Sequence, residues 1–382
     1  MSQQAPIRVA VIGCGQIGTA GHLPAFAAAA RDGACVIVGV CDLDAGRAQR
    51  AARAFGTTPY TSAEALLATA RPEVVSLATL PSSHLALTLQ ALDAGCHVLC
   101  EKPVAMDVAQ AAAMVEAAER AGRLLSICFE YRYWDEAAYV RQRIATGELG
   151  HVYAVRTWGG EARGLPSDPL RRRRSVSGGG VLTHWTIHNL DLALWLLDEP
   201  EPLTASAFCY LRALGAPYAT PEHRGPAPEA QETPEALDAV EDFGIGLVRL
   251  AGGTVVTVEA NWFQPPSSRP EGWEILGEQG AASISPMRLW TDRTGAWRDE
   301  TPPAGSLAPC DYDMTRLMTG FLQRVRDGGP SPVSGPAIVR IQRLMDALYE
   351  SAARGTEVTL NPHITGATPA TGSSARGHTA AG

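Results

Sequence analysis

The 382-residue sequence lacks any run of eighteen apolar residues, the length that a helix needs to cross a bilayer. Its N-terminus also lacks the basic segment and apolar core that are typical of a secretory signal peptide. We therefore expect a cytoplasmic protein that does not engage a membrane.

Paired cysteine motifs and an excess of basic charge are absent as well. No two of the eight cysteines form a C-x-x-C pair, so we expect reduced thiols that pack as small apolar side chains. These cysteines are Cys14, Cys35, Cys41, Cys96, Cys100, Cys128, Cys209 and Cys310. The formal net charge of −8 at pH 7 argues against general nucleic-acid binding and mildly favours cationic substrates such as amino sugars.

A glycine-rich turn follows the first β-branched run, residues 7–12, and precedes an alanine-rich helical segment. Its G-x-G-x-x-G pattern permits a tight turn, a close backbone approach to a pyrophosphate, and close packing of helix on strand. The predicted cofactor contacts in this turn are Gly13, Gly15, Gln16, Ile17 and Gly18.

Asp42 ends the second predicted strand, about twenty residues beyond the glycines, where a carboxylate accepts hydrogen bonds from the adenosine ribose. Leu43 and Asp44 follow, in place of an arginine suited to a 2′-phosphate. The sequence therefore predicts NAD as the cofactor in preference to NADP.

Lys102 stands directly before Pro103, at the end of the apolar run 97–100. A residue before proline favours extended geometry, so Lys102 is predicted at a strand end with its side chain facing outward. In an open α/β sheet the carboxyl ends of the strands are where ligands bind. Lys-Pro alone is also compatible with a solvated surface lysine.

A glycine run at 178–180 opens a predicted buried helix that ends near residue 197. His184, His188, Asp191 and Trp195 recur on one stripe of this helix, where polar groups need partners. They either form a core network or line a site. No glutamate follows His184 as in H-E-x-x-H, so we predict no metal at this pair.

The length and the 46 % of hydrophobic residues suit two domains with separate cores. Short predicted strands alternate with helices in the first part, the βαβ pattern of a parallel sheet, at 7–12, 35–41, 73–78, 97–100 and 124–129. Further on, a helix at 134–146, a polar loop at 159–177 and a helix at 180–197 are predicted. The remaining strand-like runs lie at 151–158, 203–212, 242–250, 253–262, 272–276 and 281–285.

This pattern predicts an α/β Rossmann domain over residues 1–128, followed by an α+β domain with a large, mostly antiparallel open sheet over 129–365. The second sheet would leave one face open in a monomer, which predicts a homodimer or homotetramer. The proline-rich stretch 213–240 is predicted to be a flexible insertion, and 366–382 a disordered tail.

Together these motifs resemble the family of glucose–fructose oxidoreductase, inositol dehydrogenase and rhizopine catabolism proteins (Gfo/Idh/MocA). The matching segments are 13–18, 41–42, 78–84, 94–103 and 178–191, with weaker matches at 131–133 and 241–243. The resemblance implies an NAD(P)-dependent oxidoreductase of polyols, sugars or cyclitols. It also implies that Lys102 contacts both the nicotinamide ribose and the substrate hydroxyl.

The resemblance extends to further residues. Thr79, Pro81 and His84 are expected to line the nicotinamide side. Glu101 is also assigned to the cofactor contacts because it adjoins Lys102, although its side chain is expected to be directed toward structural partners. His188 is the acid/base candidate. The aspartate that the family has four residues earlier falls on His184, which either takes over a proton-transfer role or hydrogen-bonds substrate hydroxyls.

We expect hydride transfer between a secondary alcohol carbon and the nicotinamide of NAD, with Lys102 and His188 relaying the hydroxyl proton. Arg132, Arg171 and Asp191 are predicted substrate contacts, and Asp191 is alternatively an orienting partner of His188. The run 171–174 either holds a phosphate or carboxylate or is a solvated loop. A redox-neutral epimerase or eliminase, a nucleotide-sugar ketoreductase and a non-catalytic NAD sensor remain alternatives.

Overall fold

The computed structural model describes residues 5–160, 166, 168–211, 238–263, 271–292, 295–308 and 314–360. The predicted tail and all but the last three residues of the predicted insertion lie outside these ranges. Within the described part of the chain, no helix is both long and apolar enough to cross a membrane.

Six parallel strands form the first sheet, in the order β3-β2-β1-β4-β5-β6. They are β1 (Ile7–Ile12), β2 (Cys35–Cys41), β3 (Pro59–Tyr60), β4 (Val74–Leu77), β5 (His97–Cys100) and β6 (Leu125–Ile127). The helices of this layer are α1 (Leu23–Arg31), α2 (Ala45–Phe55), α3 (Ala63–Ala70), α4 (His84–Asp93) and α5 (Val108–Ala121). Strands β1, β4, β5 and β6 are almost entirely buried, as a sheet covered by crossover helices requires, whereas β2 and β3 toward one edge are partly exposed.

The second sheet has nine strands, in the order β14-β13-β12-β11-β7-β10-β9-β8-β15. They are β7 (Val152–Gly160), β8 (Pro202–Tyr210), β9 (Phe243–Leu250), β10 (Val255–Asn261), β11 (Gly272–Gly277), β12 (Gly280–Ile284), β13 (Arg288–Thr291), β14 (Arg298–Asp299) and β15 (Val358–Thr359). Only β7 and β10 pair in parallel. The predicted fold class is therefore confirmed.

The helices of the second part are α6 (Asp135–Ala145), α7 (Arg174–Ser177), α8 (Ile187–Leu196), α9 (Thr315–Asp327) and α10 (Gly335–Arg354). A π-helical turn, Leu182–Thr186, leads into α8 within the stretch predicted as one helix. Leu317, Met318 and Phe321 of α9 pack into the core of the first sheet. The C-terminal helices thus tie both sheets together and hold the two sides of the site in place.

Candidate active site

In the turn between β1 and α1, neighbouring backbone leaves no room for a side chain at Gly13 or Gly18, whereas the space at Gly15 is open. Gly13 has a φ of +104°, and a Cβ there would lie 2.3 Å from the carbonyl oxygen of Ala78. A Cβ at Gly18 would lie 2.0 Å from the carbonyl oxygen of Gly13, whereas a Cβ at Gly15 would meet no atom within 4 Å. The turn therefore fits a pyrophosphate approaching its backbone at Gly15.

Asp42 is held against the same turn at the end of β2. Its Oδ2 accepts a hydrogen bond from the Cys14 amide at 2.8 Å, and its Oδ1 accepts one from the Asp44 amide at 2.9 Å. Gln16 is exposed and Ile17 is half-buried at the helical start. This arrangement fits the adenosine half of a dinucleotide.

The loop after β4 packs beside the glycine turn, because Thr79 Cγ2 lies 3.1 Å from where a Gly13 Cβ would stand. Pro81 is buried and begins the short turn before α4. The His84 ring is buried. Its Nδ1 lies 3.0 Å from the Pro103 carbonyl oxygen and its Nε2 lies 3.2 Å from that of Thr79. The buried ring therefore ties two loops together, and its contact with the nicotinamide side stays a prediction.

Lys102 follows β5 and faces the second domain, as its position before proline predicts. Its Nζ donates to the backbone carbonyl of His184 at 3.4 Å. Burial lowers the pKa of Lys102, while Glu101 and then Glu130 act in the opposite direction. A lysine with a lowered pKa at the carboxyl end of a strand is suited to proton transfer or to stabilising an alkoxide.

Glu101 points away from Lys102 into the first domain, so its assignment as a cofactor contact is not supported. Its Oε1 lies 2.9 Å from Nε2 of His22, whose Nδ1 is 2.7 Å from the Ser76 hydroxyl. Burial opposes ionisation, but the hydrogen bond and charge of His22 hold the pKa of Glu101 below its ordinary value. The network anchors β5 beneath Lys102.

His188 lies on α8 with its Nδ1 3.5 Å from Oε2 of Glu130, and both side chains are almost fully buried. Its ring stacks on Tyr131, with centroids 4.7 Å apart. Burial and then the charge of Lys102 lower the pKa of His188 well below its ordinary value. Burial raises the pKa of Glu130 to about 8, with Lys102 acting against it.

His184 is held by Arg171, whose Nη2 lies 2.7 and 2.9 Å from the two ring nitrogens. Burial, then Lys102 and Arg171, lower the pKa of His184 well below its ordinary value. The structure thus brings Arg171 to the candidate site beside Lys102. The other arginines of the run lie elsewhere: Arg173 pairs with Asp238 at 2.9 Å, and Arg174 stacks over Tyr349.

Arg132 and Asp191 bind each other, which disagrees with their prediction as substrate contacts. Nε and Nη2 of Arg132 donate to the two Asp191 oxygens at 2.8 and 2.6 Å, and Nη2 also pairs with Glu199 at 2.9 Å. Burial disfavours the cation, but Asp191 and then Glu199 hold the pKa of Arg132 above its ordinary value. His188 Nδ1 has no hydrogen-bond partner among the described residues, so Asp191 makes no hydrogen bond there that would orient the ring.

Two models of one protein family match this chain. The model described as an oxidoreductase family with an NAD-binding Rossmann fold matches residues 7–129, and the Gfo/Idh/MocA C-terminal domain matches residues 137–283. Together these matches cover more than two thirds of the sequence. The chain belongs to the Gfo/Idh/MocA family. This confirms the resemblance inferred from the motifs and assigns the glycine turn to an NAD-binding domain.

Most of the similar curated relatives of this Gfo/Idh/MocA protein are named dehydrogenases, and others are named reductases. D-glucoside 3-dehydrogenase of Escherichia coli K12 is 29 % identical over 357 residues, covering 93 % of this chain and 98 % of the relative. Levoglucosan dehydrogenase of Pseudarthrobacter phenanthrenivorans is 27 % identical, covering 80 % and 85 % of the two chains. Myo-inositol dehydrogenase Hyg17 of Streptomyces leeuwenhoekii is 28 % identical, covering 86 % and 89 %.

Solved structures share the same fold. Levoglucosan dehydrogenase in complex with NADH superposes with a TM-score of 0.80 at 23 % identity, covering 93 % of this chain and 99 % of that one. GenD2 from gentamicin A biosynthesis, in complex with NAD, gives a TM-score of 0.75 at 22 % identity, covering 94 % and 98 %.

The glycine run of this family member is explained by the helix that it opens. A Cβ at Gly179 would lie 2.0 Å from the Tyr349 hydroxyl, and one at Gly180 would lie 2.1 Å from the Glu241 carbonyl oxygen. The Glu241 carboxylate accepts hydrogen bonds from the amides of Gly180 and Leu182, each at 3.0 Å. This buried cap fixes the start of the helical segment that carries His184 and His188.

Glu130 and Glu271 are site residues that the sequence did not reveal. Glu271 accepts a hydrogen bond from the Tyr131 hydroxyl at 2.9 Å, and burial raises its pKa to about 7 against the effects of Tyr131 and Lys102. Glu130 lies in an aromatic segment and Glu271 directly before β11. Neither has a second polar residue at a spacing that would mark it as part of a functional motif. The aromatic neighbours of Glu130, which predict burial of a nearby charge, were the one available signal.

Proposed function

We propose that this protein is an NAD-dependent dehydrogenase that oxidises a secondary hydroxyl of a sugar, amino sugar or cyclitol, or reduces the corresponding ketone. The observation that carries the proposal is the half-buried Lys102, with a lowered pKa, beside His184 and near the His188–Glu130 pair. A family of oxidoreductases and relatives that act on sugars and inositol support the same reaction class.

The glycine turn, Asp42 and Thr79 would hold NAD, which supplies the hydride acceptor when bound. Lys102 acts on the substrate oxygen: as an ammonium it stabilises a developing alkoxide, and as an amine it accepts the hydroxyl proton. His188, neutral because its pKa is lowered, provides a second proton acceptor. His184 and Arg171 supply hydrogen-bonding groups for the other hydroxyls of a polyol.

The substrate class follows from the polar character of this surface. Half-buried Lys102, Arg171, His184 and Glu271 give the candidate site a polar lining, which suits a ligand with several hydroxyl groups better than an apolar one. Levoglucosan, glucosides and inositols appear in the names of the relatives. The prevalence of dehydrogenases among these relatives favours net oxidation or reduction over a redox-neutral reaction.

A panel assay tests this function. The purified protein is incubated with NAD and, separately, with glucosides, levoglucosan, inositols, aminoglycoside fragments and nucleotide sugars, while NADH absorbance is followed. We expect steady NADH formation with at least one cyclic polyol. Conversion of a substrate to its epimer with no net NADH would instead establish the redox-neutral alternative, and no binding of NAD would contradict the proposal altogether.

We also propose that the protein assembles as a homodimer or homotetramer through its second sheet. Apolar side chains stand on neighbouring strands of the open face, where Phe208 is 57 % exposed, Tyr210 54 % and Ile245 41 %. Phe208 and Ile245 are directly paired across β8 and β9. A contiguous apolar patch of this kind is typical of a surface that is covered by another subunit.

A further inference from the structure

Glu130 lies among Lys102, His188 and Glu271, although the proposed reaction assigns it no role of its own. It begins the short 3₁₀ turn Glu130–Tyr133 after β6 and is only 3 % exposed. Lys102, Glu101 and Glu271 exert electrostatic effects on it, and His188 of α8 faces it at 3.5 Å. Glu130 therefore faces the histidine directly and lies within electrostatic range of the lysine, the two residues that are expected to move the proton.

The imidazole of His188 has an edge that is directed at this carboxylate. Among the residues that the structure describes, Nδ1 of His188 has no hydrogen-bond partner, although the atom is buried. Tyr131 stacks on the ring and Phe129 contacts it edge-on, with centroids 6.3 Å apart, so the plane of the ring is fixed. A small movement of the Glu130 side chain would close the 3.5 Å gap to a hydrogen bond.

Glu130 has no arginine counter-ion among the described residues that would hold it ionised, whereas Asp191 has one. The Asp191 carboxylate is bound at both oxygens by Arg132, which fixes it as an anion partner. Glu130 has no arginine of that kind within the described residues, and its contact with His188 is with a ring that is neutral at ordinary pH. A buried acid without a fixed counter-ion is suited to change its protonation state within the working pH range.

We propose that Glu130 is the positioning residue for His188: its carboxylate holds the imidazole as the Nδ1–H tautomer, which leaves Nε2 free to take the substrate's hydroxyl proton. This role rests on the proposed dehydrogenase activity. In the oxidation, the carbinol C–H bond breaks and its hydride leaves to NAD, while the O–H proton goes to Nε2 and the C–O bond becomes a carbonyl. The ionised Glu130 carboxylate stabilises the imidazolium that results, and Nε2 passes its proton to solvent after the product leaves, which restores the Nδ1–H tautomer.

The direction of the pH dependence follows from the protonation state that the role requires. Glu130 must be ionised to accept the hydrogen bond from Nδ1–H of His188, and burial places the pKa of Glu130 at about 8. Lys102 favours the ionised form of Glu130, while Glu101 and Glu271 oppose it. Alcohol oxidation should therefore increase as the pH rises through about 8, and ketone reduction should decrease over the same range.

Glu130→Gln and Glu130→Asp test the proposal, with Asp346→Asn as the matched control. Asp346 is another buried acid of raised pKa, held by Gln342 and the Val108 amide away from Lys102. We expect Glu130→Gln to lower kcat for oxidation by roughly 10–100-fold and to remove the rise near pH 8. KM and the Kd for NAD should stay within about twofold, Glu130→Asp should recover part of the rise, and Asp346→Asn should keep all of it.

A second measurement needs neither substrate nor cofactor. In protein labelled with ¹⁵N-histidine, the His188 signals, identified by their loss in His188→Gln, should report a change of tautomer as the pH passes about 8. In Glu130→Gln that change should be absent. An unaltered titration in Glu130→Gln, or an intact pH rise in its kcat, would overturn the proposal. A tautomer change that depends on Glu130 would support the positioning contact even if no polyol is oxidised. In that case the proposed dehydrogenase function, and with it the proton transfer to Nε2, would be wrong.

Discussion

Three acids, Glu101, Glu130 and Glu271, influence the pKa of Lys102, but each has a different partner. Glu101 is paired with His22, Glu130 faces His188, and Glu271 is bound by the Tyr131 hydroxyl. Only Glu101 has its pKa held below the ordinary value, whereas burial raises the pKa of the other two. At the scale of the residue, the site thus combines one fixed anion with two acids that titrate near neutral pH.

Cofactor choice is a property of one side chain, Asp42. Its carboxylate is fixed beside the glycine turn, where it accepts from ribose hydroxyls and repels a 2′-phosphate. We predict that kcat/KM for NAD exceeds that for NADP by at least about tenfold, or ~1.4 kcal/mol. Asp42→Ala should weaken NAD binding and narrow the difference in kcat/KM between the two cofactors. Equal kcat/KM values for the two cofactors in the wild-type protein would count against this role.

His184 is predicted to act in substrate binding more than in proton transfer. Arg171 holds its ring and its pKa is strongly lowered, so the imidazole stays neutral and is available as a hydrogen-bonding group. His184→Ala should raise KM by the equivalent of ~1–3 kcal/mol with a smaller change in kcat. Arg171→Ala should follow the same pattern. If kcat collapses while KM is unchanged, His184 instead belongs to the proton relay, and if neither changes, it is a core residue.

At the scale of the element, the ion pair between Arg132 and Asp191 joins the segment after β6 to α8. The side chains are 7 % and 3 % exposed, so removing either one leaves a buried charge. We predict that Arg132→Ala lowers the free energy of unfolding by about 3–5 kcal/mol, measured by chemical denaturation. The double variant Arg132→Met with Asp191→Leu should recover much of that loss. A stable Arg132→Ala protein with a raised KM would return Arg132 to the substrate contacts.

Five of the six strands of the first sheet were predictable because their signals are local, whereas the two-residue edge strand β3 was not predicted. Apolar β-branched runs, a glycine turn and Lys102 before proline each act through neighbouring residues in the chain. The short strands β13, β14 and β15 were not predictable, since their pairing depends on strands far away in sequence. The π-helical turn before α8 likewise depends on the cap from Glu241, about sixty residues further on.

Part of the site was predictable for the same reason, and part was not. Gly13, Asp42 and Lys102 carry chemistry in recognisable spacings. The pairing of Arg132 with Asp191 and the placement of Glu130 against His188 arise only when α8 packs on the segment after β6. A further signal was present in the composition: Lys102 is the only lysine among the 382 residues.

At the scale of the whole molecule, the open sheet predicts an oligomer. We expect the wild-type protein to sediment as a dimer or tetramer, and Phe208→Glu combined with Ile245→Arg to sediment as a monomer. Leu43→Glu provides a matched control, because Leu43 is 93 % exposed on the first domain, away from the second sheet. A wild-type monomer at all concentrations would contradict this assembly.

The comparison of Lys102→Ala with the wild-type protein tests the central claim, that Lys102 acts on the substrate oxygen in an NAD-dependent oxidation. Because the chain has no other lysine, no second ε-amino group can replace it. With a substrate identified by the panel, kcat should fall by about 10²–10⁴-fold. The Kd for NAD should change far less, since the glycine turn and Asp42 remain. A variant that binds NAD normally and retains more than about a tenth of the wild-type kcat would contradict the account.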